Sequence, residues 1–392
     1  MPSPKETLQL LTRGTAQVIS EKDLLAKLEE NRPLRVKLGV DPTAPDIHLG
    51  HTVPLEKLRQ FQELGHEVVL IIGDFTAMIG DPTGRSATRP DISHEEVMAN
   101  AQTYTDQAFK ILDRSTTEVV YNGEWFSKMT FTEVMKLNSR VTLQQMLQRE
   151  DFRNRIDQAE EIRLHEIQYP IMQGWDSVEV RADVEIGGTD QMFNILVGRD
   201  MQKAVGMAQQ VAMLMPILEG LDGVRKMSKS YGNYIGVSDA PDDMFGKAMS
   251  ISDELMGRYY QMLLGDALDP DLHPMEAKKQ LAVRLVSRYH SDAAGSAARQ
   301  NFEDKAKNAL AAVYPDFDPG AHAKGVLTLA GAALLECFQV KRSGGEIRSL
   351  VSSGAIQVNG EKISDPRAEI ELADGDVFRL GKKHSVRIKR GN

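Results

Sequence analysis

Apolar positions in the first 240 residues alternate between two periods. "RVKLGV" (Arg35–Val40) and "EVVLIIG" (Glu67–Gly73) are short runs rich in β-branched residues, each closed by a turn signal, and they predict buried strands. Between them Val53, Leu55, Leu58, Phe61 and Leu64 recur at helical spacing, predicting a helix over 51–64. Strand, helix, strand is the repeating unit of a parallel sheet. "ADVEIGG" and "VAMLMPIL" repeat it, with a helix predicted over 190–205. The fold class that follows is α/β. An open sheet of this kind binds ligands at the carboxyl ends of its strands, here 39–51, 73–89, 187–191 and 219–230.

The pattern changes elsewhere. Residues 122–166 interrupt the sheet with helical material. Residues 241 to about 312 read as mostly helical, with "AKKQLAVRLVSRYH" a basic amphipathic helix. A stretch rich in Pro, Gly and Ala follows and predicts a linker, and then come short strands, "AIQVNGEKI" and "DGDVFRLGKKHSVRIKR", with Asn359-Gly360 as a hairpin turn. The expected organisation is a sheet domain over 1–240, a helical domain over 241–314, a linker over 315–333 and a small α+β domain over 334–392. A length of 392 residues suits two or three domains.

Composition narrows the class. Hydrophobic residues at 41% and charged residues at 26% fit a soluble globular protein. No apolar run reaches membrane-spanning length, and no basic-then-apolar segment at the N-terminus predicts secretion. One cysteine, Cys337, excludes an internal disulfide framework and a thiolate-rich zinc site, so a reducing cytoplasm is the expected compartment. Charge changes the picture more. The chain carries −9 overall, yet residues 336–392 hold eleven Lys/Arg against eight Asp/Glu, and the last fourteen hold six cations and no acid. A basic end on an acidic body is either a surface for a polyanion or a solubilising tail.

The same choice arises at "DGVRKMSKSYGNYIGV" (Asp222–Val237). Arg225, Lys226 and Lys229 face one anion, Asp222, and Gly223, Gly232 and Asn233 mark a loop. Such a loop is either solvated or built around an absent anion. "GVDPTAPDIHLGH" leads from a strand into a helix that Asp46 or Thr43 is placed to cap. His48 and His51 share one face of its first turn, where helix ends attract anions, and Gly50 leaves room for a flat ring. These histidines are otherwise structural, or a metal pair still short of ligands. In "IGDFTAMIGDPTGRS" Asp81 precedes a turn, Asp74 reads as turn chemistry, and Arg85 and Arg89 reach either a phosphate or water. In "IGGTDQMFN" two glycines admit a close ligand, and Asp190 is an acceptor for ribose hydroxyls or a helix cap. In "HEIQYPIMQGWDSV" Tyr169, Gln173 and Asp176 share a helix face, while Met172 and Trp175 read as core.

The constellation is more specific than its parts. "HLGH" followed by "KMSKS" resembles the paired signatures of class I aminoacyl-tRNA synthetases. "DPTAPDIHLGH", "YPIMQGWD", "IGGTDQ" and "KMSKS", in this order, resemble the bacterial tyrosyl-tRNA synthetases, and "KRSGGEIRSLVSSGAIQVNGEKISD" resembles their C-terminal S-four-like RNA-binding domain. The likeness covers nearly the whole chain. It implies a Rossmann-like catalytic domain, a helical domain for the anticodon region of the tRNA, and an RNA-binding tail. The implied activity is activation of L-tyrosine by ATP, with Mg2+ accompanying the ATP and pyrophosphate leaving, followed by transfer to tRNA(Tyr). A homodimer with its interface over 122–166 is also implied, and no membrane or resident metal.

Residue by residue, the likeness gives Lys226 and Lys229 the leaving pyrophosphate, with Ser228 and Ser230 as neutral donors. His48 and His51 face the phosphates from the other side. Gly50 lies under adenine, and Gly188 and Asp190 hold the ribose. Asp41 lies beside the reacting groups. Asp81, Tyr169 and Gln173 bind the α-amino group, Gln191 lies near the carboxylate, and Asp176 accepts from the phenol. Arg85 and Arg89 match a second basic loop. Two positions depart from the better-known branch: Lys37 replaces a tyrosine that helps hold the phenol, and Glu185 replaces a glutamine. Lys37 is counted with the tyrosine-binding residues, and it either donates to the phenol, pairs with Asp176 or points elsewhere. A second bacterial branch shares the "KLGVDPT" form. The rival readings are a tryptophanyl-tRNA synthetase, which normally lacks the RNA-binding tail, and a non-catalytic RNA-binding relative.

Overall fold

The apolar runs form one six-stranded sheet, β1 (Gln17–Ile19), β2 (Arg35–Val40), β3 (Glu67–Ile72), β4 (Thr117–Tyr121), β5 (Val184–Gly188) and β6 (Val211–Met215), in the order β1-β6-β5-β2-β3-β4. This is a computed structural model describing residues 2–82, 92–310, 314–381 and 383–390. Strands β2 to β6 are parallel, and β1 joins the edge antiparallel to β6. Both faces are covered, which is why the strands read as near-continuous apolar runs. Val36, Leu38, Leu70, Ile72, Ile186 and Met213 share one core with Val53, Leu58 and Phe61 of the helix Leu49–Glu63. Val69 and Ile71 pack on the other face with Val180 and Ala182. Lys37 and Glu185 also point to that second face, because side chains alternate along a strand, and they are register partners across β2 and β5.

Two local expectations shift. The helix expected over 51–64 starts at Leu49 with His48 as its N-cap residue, and neither Asp46 nor Thr43 caps it. The helix expected from 190 opens with a 3-10 turn, Thr189–Gln191, before the α-helix Met192–Ala204. Helix Leu164–Glu179 lies directly on Met192–Ala204: a Cβ on Gly174 would stand 3.0 Å from Val197 Cγ1 and 3.1 Å from the Gly198 nitrogen. Residues 122–166 supply four helices, Gly123–Phe126, Phe131–Asn138, Leu143–Met146 and Glu150–Asp157. Phe126, Leu137 and Met146 form a satellite core with Ile171, Met172 and Met201, while Trp175 is only partly buried against it.

Packing divides the chain into two units, residues 1–302 and 303–392. The helices Pro241–Met249, Asp253–Tyr259 and Pro274–Tyr289 were expected to stand apart from the sheet. Instead Met244, Phe245, Leu281 and Leu285 enter the same core as Val53 and Leu58. In the second unit β7 (Asp316–Phe317), β8 (Ile356–Val358), β9 (Glu361–Ile363), β10 (Val377–Leu380) and β11 (Ser385–Ile388) form a sheet in the order β7-β11-β10-β8-β9. Asn359 and Gly360 both take positive φ, 51° and 89°, as a tight hairpin between β8 and β9 requires. The stretch 315–333, expected as a linker, carries β7 and the start of helix Val326–Phe338. Its Phe317, Val326, Leu329 and Ala330 are buried with Ile347 and Phe378. Its Pro and Gly residues suggested a linker, but its apolar side chains fill a core.

Candidate active site

A cavity of about 430 Å³ opens at the carboxyl ends of the parallel strands. Its lining includes Asp41, His48, Gly50, His51, Asp81, Tyr169, Gln173, Asp176, Gly188, Asp190, Gln191, Lys226, Ser228, Lys229 and Ser230. Those residues come from segments far apart in sequence, and the fold collects them at one place. Arg85 and Arg89 lie outside the described residues.

At one end the histidine helix and the lysine loop are joined through the backbone. Leu49 N–H donates to the Ile235 carbonyl at 2.9 Å, and Val237 N–H donates to Ile47 at 2.9 Å. The rings of His48 and His51 stack with centroids 3.7 Å apart and planes 16° from parallel. His48 N–H donates to His51 Nδ1 at 3.4 Å, which leaves the His51 proton on Nε2. Burial, then the neighbouring His51 and Lys229, push the His48 imidazole down to about 2, and burial with Lys229 pushes His51 down to about 4. Both rings are therefore neutral at pH 7. A Cβ on Gly50 would stand 3.1 Å from the His48 ring and 3.5 Å from Met227 Cβ, so a side chain there would wedge between helix and loop.

The lysines are held loosely. Lys226 Nζ stands 3.4 Å from Asp190 Oδ2, and Lys229 Nζ stands 3.4 Å from Asp46 Oδ2. Pairs this open and solvated contribute little. Asn233 organises the loop itself: its Oδ1 accepts from Ser228 N–H at 2.8 Å, and its Nδ2 donates to Asp222 Oδ2 at 3.1 Å and the Lys226 carbonyl at 3.2 Å. Two ammonium groups without rigid partners and two neutral imidazoles make a donor set suited to a polyphosphate.

The other end is buried. Asp176 is 4% exposed. Its Oδ1 accepts from Trp125 Nε1 at 3.0 Å and its Oδ2 from Asn122 Nδ2 at 3.3 Å. Burial raises its carboxyl to about 7, although the charge of Lys37 and these two donors pull the other way. Tyr169 donates its hydroxyl proton to Asp41 Oδ2 at 2.9 Å, and Thr76 donates to Asp41 Oδ1 at 2.8 Å. Gln191 Nε2 donates to Asp81 Oδ2 at 3.0 Å, and Asn194 Nδ2 donates to Gln173 Oε1 at 2.9 Å.

Lys37 requires a correction. It does not line the cavity and is 0% exposed. Its ammonium group donates to Glu185 Oε1 at 2.9 Å, Ser177 Oγ at 2.8 Å and the Gln173 carbonyl at 3.0 Å. It makes no hydrogen bond to Asp176 and points out of the cavity, because an acidic partner stands opposite it on β5. Sequence reasoning missed Asn122, Trp125, Asn194 and Asn233 as parts of the site. Asn233 carried a signal as a loop marker and Asn194 closes the quoted IGGTDQMFN string, whereas Asn122 and Trp125 lie in a segment without motifs.

Comparison with known proteins sharpens this geometry. A parallel sheet whose strand ends gather an HLGH helix start and a KMSKS loop defines a class I aminoacyl-tRNA synthetase. The family described as "tRNA synthetases class I (W and Y)" matches residues 29–311. The tyrosine–tRNA ligase of Carboxydothermus hydrogenoformans is 49% identical, covering 98% of both chains. That of Moorella thermoacetica is 46% identical over 97% of this chain and 95% of its own. Among solved structures, a tyrosyl-tRNA synthetase from Archaeoglobus fulgidus complexed with L-tyrosine shares the fold, with a TM-score of 0.61 at 24% identity, covering 76% of this chain and 99% of that one. The chain belongs to the tyrosine–tRNA ligase family.

Proposed function

We propose that the cavity activates L-tyrosine with ATP, releases pyrophosphate, and passes the tyrosyl group to the 3′-terminal adenosine of tRNA(Tyr). One observation carries this reading: a single cavity has a cationic, imidazole-lined end and a buried carboxylate end. In the first step the tyrosine carboxylate attacks the α-phosphate, so the protein must position two substrates and stabilise charge on the departing pyrophosphate. Lys226 and Lys229 meet that charge, with Ser228 and Ser230 as neutral donors. His51, with its proton on Nε2, donates to the phosphates as a neutral group, and His48 stacks against it. Mg2+ arrives with the ATP and neutralises its phosphates. Gly50 leaves space for adenine, and Gly188 and Asp190 take the ribose.

For tyrosine, Asp176 accepts from the phenol, and Asp81, Tyr169 and Gln173 receive the α-ammonium group. Gln191 lies towards the carboxylate, and Asp41 holds Tyr169 in place beside the reacting groups. A phenylalanine ring would leave the Asp176 carboxylate without its partner, the strongest kind of rejection available to a buried polar site. The 46–49% identity to tyrosine–tRNA ligases favours tyrosine over tryptophan within the shared family.

The second unit is the proposed tRNA-binding tail, through the cations of residues 379–392. A cytoplasmic homodimer completes the reading. Large exposed apolar side chains concentrate between 131 and 164, with Phe131 79% and Leu164 81% exposed, as an unpaired interface would leave them. Sedimentation as a monomer at micromolar concentration would contradict the dimer.

Exchange of labelled pyrophosphate into ATP tests the core of the reading. Tyrosine should support exchange and tryptophan should not. Lys229→Ala should lower the rate by about 100-fold, the scale on which one charge-stabilising donor acts. Unchanged exchange in that variant would remove the lysine loop from the chemistry.

A further inference from the structure

Lys37 and Glu185 are the two ends of one buried ion pair. They face each other in register across β2 and β5, 0% and 1% exposed, with Nζ 2.9 Å from Oε1. Three protons of the ammonium group meet three acceptors, Glu185, Ser177 Oγ and the Gln173 carbonyl, so Lys37 has no proton left for a substrate. Glu185 has more to give. Its Oε1 also accepts from Gln173 Nε2 at 3.2 Å, and its Oε2 accepts from Ser177 Oγ at 2.9 Å and from Gln210 Nε2.

Gln173 and Glu185 both border the cavity, and Gln173 is the side chain that Glu185 orients there. A side-chain amide has a donor end and an acceptor end that are nearly equal in shape, and only its neighbours decide which end goes where. Here the carboxylate of Glu185 claims the Nε2 end, and Asn194 Nδ2 donates to the Oε1 end at 2.9 Å. The oxygen is thereby kept on the side of Asn194 and Gln191, where a cation would want an acceptor. Lys37 in turn holds the Glu185 carboxylate in place at 2.9 Å. We propose that Lys37 and Glu185 are positioning residues for recognition of the substrate's α-ammonium group, acting through the orientation of the Gln173 amide, and that neither hydrogen-bonds the phenol. This rests on the cavity being the tyrosine site.

Glu185→Gln tests it with little change of shape. A neutral amide at 185 no longer dictates which end of Gln173 faces it. Equilibrium binding of L-tyrosine to the full-length protein should weaken about tenfold, the worth of one well-made hydrogen bond to a charged group. Binding of 3-(4-hydroxyphenyl)propionate, which keeps the phenol and lacks the ammonium group, should change less than about twofold, because no ammonium recognition is at stake. The charge-free double variant Lys37→Met with Glu185→Gln should show the same split, because the two charges act on Asp176 in opposite directions and are removed together, and it leaves no unpaired buried charge should the single variant fold poorly. Equal weakening of both ligands, or no weakening of tyrosine, would overturn the proposal. A wild-type protein that binds neither ligand would instead overturn the functional reading beneath it.

Discussion

Asp176 shows what one buried carboxyl does to the pH behaviour of the whole. Its folded value of about 7 lies well above the ordinary 3.8 because burial outweighs Lys37 and the two donors, Asn122 and Trp125. Below about pH 7 the folded protein therefore carries it protonated, and a phenol bound there as proposed loses its charged acceptor. The KM for tyrosine in pyrophosphate exchange should rise as pH falls through 7, by up to tenfold per unit, while kcat is spared by the two histidines, which stay neutral to about pH 4. Stability moves the opposite way. Between about 4 and 7 the folded state holds a proton that the unfolded chain has released, so stability falls as pH rises across that window and levels off above it. Asp176→Asn should flatten this slope in denaturant titrations at several pH values; an unchanged slope would mean that another group sets it. The carboxylate itself was legible in "YPIMQGWD". Its raised value was not, because that depends on packing and on partners from residues 122 and 125 that no motif marks.

At the scale of elements, the lysine loop is held in shape by a side chain outside the KMSKS string. Asn233 is the residue that shapes it, joining Ser228, Asp222 and the Lys226 carbonyl. Gly220 is there for the same reason: a Cβ would stand 2.3 Å from the Asn233 side chain and its carbonyl oxygen. Asn233→Ala should lower kcat for adenylate formation roughly tenfold by leaving the Ser228 N–H donor and the Lys226 carbonyl acceptor without this partner, with the tyrosine KM unchanged. Faster amide exchange over 218–237 should accompany it, and a variant with normal kcat would show that the loop is shaped by something else. Strands and helices were readable from sequence because their apolar periods reflect burial on both faces of a sheet. The cap at His48 was not, since the backbone on either side of it, at Ile47 and Leu49, is tied to Val237 and Ile235 across the fold. Nor was the direction of Lys37, which needed the register that sets it opposite Glu185.

The packing boundary near residue 302 separates the proposed catalytic cavity from the proposed tRNA-binding unit. The cavity lies entirely within the first unit, and the second has a core of its own around Phe317, Leu329, Ile347 and Phe378. The sequence showed this tail by its charge and its hairpin, but it set the start too late, because Pro and Gly in 315–333 obscured the apolar residues that fill the core. Removing the chain after Leu310, which keeps helix Asp292–Leu310 whole, should leave tyrosine-dependent pyrophosphate exchange within about twofold of the intact protein, since no cavity residue is lost. Charging of tRNA should behave differently. If cations of the tail neutralise phosphates, each contact releases counterions on binding, and the affinity of the intact protein falls steeply with salt. The truncated protein should charge tRNA at least tenfold less efficiently at low salt and show a shallower dependence on salt, the change in slope counting the phosphate contacts removed. Equal loss of exchange and charging would mean that the second unit supports the fold of the first. Unchanged charging with an unchanged slope would make the basic end a solubilising tail.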